Sequence, residues 1–131
     1  MQKSILITGR QSSGKTKKAK EIASQFQEDE VVFISCCNKK THENPFLFSQ
    51  CTEKTKLVVF EELYDINQVE AFFNMVSNPI VVNKKMKEPF TIAPKFVLVC
   101  QSEIDAEQLV ELGASFYRCF DVIECKRELS F

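Results

Sequence analysis

The chain opens with a short apolar segment that leads into a glycine-bounded loop and then into a basic segment with helical periodicity. The loop follows residues 4–8 and reads Gly9-Arg10-Gln11-Ser12-Ser13-Gly14-Lys15-Thr16, an instance of the pattern G-x-x-x-x-G-K-T. A glycine at each end lets the backbone turn tightly and approach an anion without a Cβ in the way. Free N–H groups at the start of the following helix would face that anion. The pattern therefore predicts a phosphate-binding loop between a strand and a helix.

The last two residues of this loop carry the chemistry expected of a nucleotide site. We expect Lys15 to reach the β- and γ-phosphates of ATP or another nucleoside triphosphate, and the Thr16 hydroxyl to ligate Mg²⁺. A chance match to the pattern in a chain of this length has a probability on the order of 1%. A glycine-rich turn before an ordinary helix is therefore the weaker interpretation.

Composition limits what else the chain can be. With 131 residues, 44% of them hydrophobic and 27% charged, we expect a single globular domain over residues 1–131. The net charge of −1 provides no global field that would attract nucleic acid, so any such contact needs a local basic patch. The first apolar run is too short for a signal peptide or a membrane span, which predicts a cytoplasmic protein without membrane contact.

Six cysteines occur without a C-x-x-C pair. Together with the expected ATP site, this favours reduced thiols in the cytosol. Cys36, Cys37, His42 and Cys51 are close in sequence, but their spacing fits no standard zinc pattern. Free thiols, buried or half-buried, are the favoured interpretation.

Alternating apolar runs and helical segments indicate an α/β fold. Helical periodicity is expected over residues 15–27, 65–76 and 105–112, with the Asp65/Gln68 and Asp105/Gln108 pairs as N-terminal caps. The expected strands are residues 4–8, a buried strand over 31–34, and strands over 57–60, 95–100 and 119–125. Residues 35–56 show no clear period, and Phe46, Leu47 and Phe48 are expected to anchor that segment to the core.

Two carboxylates follow the apolar run at 57–60. Open α/β sheets place their ligands at the carboxyl ends of strands, so Glu61 and Glu62 are expected beside the phosphate loop. We expect Glu61 to hold the Mg²⁺, directly or through water, and Glu62 to polarise the attacking water. Adjacent carboxylates are common on surfaces, and only the preceding loop and strand favour the catalytic role.

Two β-like runs, residues 80–82 and 90–92, flank a cationic segment and predict a β-hairpin. Lys84, Lys85 and Lys87 lie at its tip. A solvated turn and a contact with a phosphate backbone are both compatible with this pattern. After the strand at 95–100, Gln101 or Ser102 occupies the position at which some NTPases place a polar residue facing the γ-phosphate.

Taken in order, these segments resemble the ATPase core of the superfamily 3 helicases, the replication initiators of small DNA viruses such as parvoviruses. The resemblance is carried by residues 9–16 as Walker A, residues 37–51 as the segment before Walker B, Val59-Phe60-Glu61-Glu62 as Walker B, and residues 80–94 as the B′ hairpin. It implies a P-loop NTPase sandwich of the AAA+ type. Its sheet would be mostly parallel, with about five strands, and an additional strand would lie between the Walker A and Walker B strands.

The resemblance also implies partners. Members of the family form rings, often hexameric, whose hairpins surround single-stranded DNA. This would make Lys84, Lys85 and Lys87 DNA-contacting residues and Arg118 an arginine that acts on a neighbour's nucleotide. The family has an asparagine after the fourth strand, where this chain has Ser102, or Gln101 if the register slips by one.

Three function classes remain open on the sequence. The leading hypothesis is a Mg²⁺-dependent ATPase that couples hydrolysis to single-stranded nucleic acid or to a replication partner. A nucleotide-dependent switch with little turnover is a second, favoured by the missing asparagine. A small P-loop kinase is a third, disfavoured because the chain has only Arg10, Arg118 and Arg127 from which to build an arginine-rich lid.

Overall fold

A computed structural model describes residues 3–36, 38–76, 78–84 and 86–126 of the chain. Its strands are β1 (Ser4–Gly9), β2 (Val31–Ser35), β3 (Leu57–Leu63), β4 (Ile80–Val82), β5 (Phe90–Ile92), β6 (Lys95–Cys100) and β7 (Phe120–Cys125). Its helices are α1 (Lys15–Ala23), α2 (Ile66–Val76), α3 (Ala106–Val110) and α4 (Ala114–Cys119).

Five strands form one parallel sheet in the order β2-β3-β6-β1-β7. The strand β6 thus lies between β1, which leads into the glycine loop, and β3, which carries the two carboxylates. All five strands point the same way, so their carboxyl ends meet at one edge of the sheet. The loop after β1, Glu61-Glu62 and Gln101 all lie at that edge.

The central strands are apolar along their length because both faces of the sheet are covered. On one face, Ile7, Val59 and Val97 pack with Ala19 and Ile22 of α1. On the other face, Phe60, Phe96 and Leu98 pack with side chains of α2, α4 and the loop before β3. There the rings of Phe60 and Phe72 stack with their centroids 4.1 Å apart. The expected α/β fold is confirmed: the protein is a parallel five-stranded sheet flanked by helices.

The strands β4 and β5 form a separate antiparallel hairpin, with Ile80 opposite Ile92 and Val82 opposite Phe90. This confirms the predicted hairpin. Ile80, Val82 and Ile92 are buried, so the hairpin is fixed to the body of the protein. Lys84 and Lys87 of its tip border a groove beside the start of β2, at the amino edge of the main sheet.

Two expectations about the elements were wrong, and one helix was missed. The segment 31–34 was expected to be buried, but β2 is an edge strand and Phe33 is 40% exposed. The first helix was expected to reach residue 27, but it ends at Ala23, and Gln25 and Phe26 donate their N–H groups in tight turns instead. The short helix α4 was not predicted, since six residues are too few to show a period.

The loop between β2 and β3 is anchored as expected, except at one position. Leu47 is buried, and the Phe48 ring lies 5.9 Å from that of Phe60, whereas Phe46 is 61% exposed. Within the part of the chain that the structure describes, no helix is both long and apolar enough to cross a bilayer.

Candidate functional site

The segment from residue 9 to residue 16, here called the glycine loop, connects β1 directly to α1. Its backbone takes left-handed conformations at Ser12, with φ 62°, and at Gly14, with φ 90°. Gly9 has φ 152°, and a Cβ there would overlap the carbonyl oxygen of Cys125 and lie 2.8 Å from the Ser13 hydroxyl. Gly9 is therefore required by space and Gly14 by backbone conformation. Concave loops with alternating backbone conformation are typical anion sites.

Lys15 lies folded back against this loop and is only 8% exposed. Its Nζ donates hydrogen bonds to the carbonyl oxygens of Gly9, of Arg10 at 3.1 Å and of Gln101 at 3.2 Å. Desolvation lowers the pKa of Lys15, and the nearby thiols of Cys100 and Cys125 oppose that shift. The ammonium is thus held at the end of the loop by neutral carbonyl dipoles, which an anion can replace with stronger charge-assisted bonds.

The two carboxylates of β3 lie on an irregularity of the sheet. Phe60 pairs with Leu98 and Leu63 with Cys100, so β3 holds one more residue than β6 over this stretch. Glu62 has φ 58°, a left-handed conformation that costs an ordinary residue about 1–2 kcal/mol. Bulges of this kind redirect side chains and are common beside functional sites. Here Glu61 is half-buried and Glu62 exposed, and both border the same cleft.

Gln101 connects this bulge to the glycine loop. Its backbone N–H donates to Leu63 O at 3.0 Å, and its side-chain Nε2 donates to Glu62 O at 3.1 Å. Its own carbonyl accepts the hydrogen bond from Lys15. Of the two residues considered after β6, Gln101 borders the cleft, whereas Ser102 is exposed and is not among its lining residues.

These parts enclose a cleft of about 840 Å³. It is lined by most of the glycine loop, both carboxylates, Gln101 and four further residues: Gln11, Ser12, Ser13, Gly14, Lys15, Thr16, Lys17, Glu61, Glu62, Tyr64, Val99, Cys100 and Gln101. Arg10 instead faces a neighbouring cleft, where its Nε lies 3.5 Å from a Glu103 carboxylate oxygen. Folding therefore brings together two motifs that are 45 residues or more apart in sequence.

Other predicted site residues lie away from this cleft. Arg118 is in the last turn of α4, immediately before β7, and so at the amino edge of the sheet. Lys84 and Lys87 are also at the amino edge, where the Lys84 Nζ lies 5.9 Å from the centroid of the Phe90 ring. Lys85 lies outside the described residues. Within one copy of the chain, Arg118, Lys84 and Lys87 do not line the cleft.

Sequence reasoning missed two residues beside the carboxylates. Tyr64 borders the cleft, and the Lys39 Nζ lies 5.5 Å from the centroid of its ring. Gln68 is fully buried; its Oε1 accepts from Tyr64 N at 2.5 Å and its Nε2 donates to Asn38 O at 2.8 Å. The expected cap pair is therefore half right. Asp65 Oδ1 accepts from the backbone N–H groups of Asn67 and Gln68 and so caps α2, whereas the Gln68 side chain accepts from Tyr64 N and not from Asp65 N. Tyr64 could have been predicted as a residue of the cleft, because it follows Glu62 by only two positions.

The described cysteines are reduced and fall into two environments. Cys36, Cys51 and Cys100 are buried, and Cys119 and Cys125 are half-buried. Burial raises the pKa of the Cys100 thiol to about 12, against the opposing effect of the Lys15 ammonium. Cys37, considered with His42 as a metal ligand, lies outside the described residues. Among those described, no cluster of three His, Cys, Asp or Glu side chains has the geometry of a metal site.

Comparison with known proteins defines the fold and leaves the family open. No family model matches the chain, and no curated protein does. Solved structures do match, among them the A form apo structure of the NrS-1 C-terminal region, with a TM-score of 0.59 and 16% sequence identity. That match covers 94% of this chain, which spans 29% of the NrS-1 chain. At this identity the similarity concerns the fold.

Proposed function

We propose that the protein binds ATP or another nucleoside triphosphate with Mg²⁺ in the cleft beside the glycine loop and hydrolyses it. The observation that carries this proposal is the meeting of the loop with Glu61 and Glu62 in one cleft. A phosphate loop alone would support binding. Adjacent carboxylates at the terminal-phosphate end favour water, rather than a substrate hydroxyl, as the acceptor of the phosphoryl group.

The triphosphate would lie along the glycine loop. Lys15 would exchange its bonds to loop carbonyls for bonds to phosphate oxygens, and the loop N–H groups would add further donors. The Ser13 hydroxyl oxygen is buried and has no hydrogen-bond partner among the described protein atoms. A buried polar atom of this kind is costly unless a ligand or water satisfies it, which supports an anion at this position.

Thr16 and Glu61 would hold the Mg²⁺, since hydroxyl and carboxylate oxygens are the hard ligands that this ion prefers. Both residues line the cleft. The ion would neutralise charge on the phosphates. Glu62 would orient a water molecule and accept a proton from it. The Gln101 side chain would keep Glu62 in position, because its Nε2 donates to the carbonyl oxygen of Glu62.

We further propose the class of this ATPase. The position of β6 between β1 and β3 agrees with the additional-strand arrangement of the helicase-like and AAA+ ATPases, and the β4–β5 hairpin precedes β6 as in the superfamily 3 helicases. In a ring of copies, Arg118 would serve the cleft of a neighbour. Its exposed position, away from the chain's own cleft, leaves it available for that role.

Single-stranded DNA is the proposed partner of the hairpin. Lys87 is exposed, and Met86 beside it is 98% exposed, so the tip projects from the protein. The groove beneath the tip contains acidic residues as well, with Asp29 at 3.6 Å from Lys54. Any DNA contact would therefore be made by the projecting tip rather than by the groove.

The binding half of this proposal can be tested with one substitution. Lys15→Ala removes the buried ammonium at the end of the loop, so ATP affinity should fall about 100-fold or more, on the order of 3 kcal/mol. Isothermal titration calorimetry of ATP with Mg²⁺ measures this. Lys20→Ala, an exposed lysine of the same helix, is the matched control and should bind as the wild type does. Equal affinity in both variants would contradict the proposal.

A further inference from the structure

A second groove runs along the opposite side of the glycine loop from the carboxylates. The parallel pairing of β7 with β1 places Cys125 opposite Gly9, so the carboxyl end of β7 lies beside the loop. The groove between this strand end and α1 has a volume of about 600 Å³. Its lining combines loop, helix and strand-end residues: Ser12, Ser13, Gly14, Lys17, Lys18, Glu21, Cys125 and Lys126.

The arrangement of the strands fixes which end of a bound nucleotide would enter this groove. Glu62 and Gln101 lie on the side of β1 occupied by β6 and β3. The terminal phosphate must face them if it is to be attacked by water. The remainder of the molecule then extends in the other direction along the loop, toward β7, and reaches the groove.

We propose that this groove binds the nucleoside half of the triphosphate, with the Glu21 carboxylate accepting hydrogen bonds from the ribose hydroxyls. The inference rests on the proposed function of the glycine loop and adds the subsite that distinguishes a nucleotide from an inorganic polyphosphate. Carboxylates are the usual acceptors for ribose hydroxyl groups in nucleotide sites.

The contacts of the Glu21 side chain support this role. Its carboxylate lies 3.9 Å from the Lys18 Nζ, and the two side chains are 57% and 43% exposed. Ion pairs at such a distance and exposure contribute little to stability, so a ribose can replace the lysine at small cost. Ser13, whose buried hydroxyl oxygen lacks a partner, lies in the lining of both this groove and the cleft, so the two are continuous.

The alkylation rate of the Cys125 thiol can report whether the groove is occupied, and the Cys119 thiol can serve as the control. Cys125 is half-buried and borders the groove, while Cys119 is half-buried on α4, before β7, at the other edge of the sheet. Cys36, Cys51 and Cys100 are buried and should react slowly. A bound nucleoside should cover Cys125 and leave Cys119 unchanged.

The experiment measures alkylation rates at Cys125 and Cys119 by mass spectrometry, with Mg²⁺ and saturating ATP or inorganic tripolyphosphate. ATP should slow alkylation of Cys125 about fivefold or more relative to tripolyphosphate, which would reach Lys15 near this thiol but would not fill the groove, and Cys119 should not respond to either ligand. Bound ATP that leaves Cys125 unprotected, or equal protection by both ligands, would overturn the subsite. If calorimetry shows that neither ligand binds, the proposed function fails and the subsite with it.

A substitution provides an independent measurement. Wild-type protein should bind ATP about tenfold more tightly than 2′,3′-dideoxy-ATP, and Glu21→Gln should reduce that ratio to about two. The variant should bind tripolyphosphate as the wild type does, which shows that the loop is intact. Glu28→Gln, an exposed glutamate that does not line the groove, is the control and should keep the wild-type ratio. An unchanged ratio in Glu21→Gln would contradict the role of Glu21.

Discussion

At the scale of single residues, the glycines show how different physical requirements select the same amino acid. Gly9 has positive φ and no room for a Cβ, whereas Gly14 and Gly113 have positive φ but no atom within 4 Å of the point that a Cβ would occupy. The sequence indicated special roles for Gly9 and Gly14 only through the glycine loop pattern. The crowding at Gly9 could not be predicted, because it comes from the carbonyl of Cys125, a residue far along the chain.

This difference predicts unequal costs for two alanine substitutions. Gly113→Ala should lower the free energy of unfolding by about 1–3 kcal/mol, the cost of a disfavoured backbone conformation. Gly9→Ala adds an overlap with the Cys125 carbonyl, so its cost should be larger, about 3–5 kcal/mol. Urea unfolding of the ligand-free variants measures both. A Gly9→Ala protein as stable as Gly113→Ala would show that β7 does not lie against the loop.

At the scale of elements, two helices begin with the same pattern, aspartate followed three residues later by glutamine, but in different surroundings. Gln108 is exposed, and its Oε1 accepts a 3.3 Å bond from Asp105 N. Gln68 is buried and connects Tyr64, after the carboxylates, to Asn38 in the loop before β3. The sequence predicted a cap in both places, and it could not predict the connection because Asn38 is 30 residues away.

Replacement of each glutamine by leucine separates the two roles. Gln68→Leu removes a buried amide and leaves the Tyr64 N–H and the Asn38 carbonyl without their part-buried hydrogen bonds, so it should cost about 1–3 kcal/mol of unfolding free energy. Gln108→Leu removes one exposed capping bond and should cost about 1 kcal/mol or less. Urea unfolding of both variants gives the comparison, and equal losses would argue against the buried connection.

The hairpin is the second element whose role can be tested. Lys84→Gln/Lys87→Gln should weaken binding of a single-stranded oligonucleotide and reduce its dependence on salt, because fewer counterions are released. Lys20→Gln/Lys40→Gln carries the same change of charge on exposed lysines outside the hairpin and should bind nearly as the wild type does. Fluorescence anisotropy over a salt series measures both slopes. Identical slopes for the two double variants would exclude a specific role of the tip.

At the scale of the whole molecule, the sheet divides the proposed functions between its two edges. The cleft, the groove between α1 and β7, and Gln101 are at the carboxyl edge, and the hairpin tip and Arg118 are at the amino edge. If the nucleotide and DNA bind as proposed, a nucleotide in the cleft lies at the opposite end of the strands from the hairpin tip of its own copy. Its effect on DNA would then pass through the body of the sheet or through a neighbouring copy.

The alternation of apolar runs and helical segments predicted an α/β fold, and the resemblance to the superfamily 3 helicases implied that its sheet is mostly parallel. The cleft was predicted because open α/β sheets place their ligands at the carboxyl ends of strands. The sequence did not predict that β2 is the outermost strand on one side of the sheet, because the pattern of apolar residues within a strand carries no information on the order of the strands. It also did not predict the bulge at Glu61-Glu62, which appears only in the pairing of β3 with β6. The choice of Gln101 over Ser102 likewise required the position of that side chain against Glu62.

Nucleotide hydrolysis in the cleft is measured by the ATP turnover of Glu62→Gln and of the wild type, with ATP affinity determined on the same samples. If Glu62 orients and deprotonates the attacking water, turnover should fall by about 100-fold or more, while affinity stays within about threefold. Glu43→Gln, an exposed glutamate away from the cleft, should behave as the wild type in both measurements. Turnover of Glu62→Gln at the wild-type rate would contradict the claim that this cleft hydrolyses a nucleotide with Glu62 as its base.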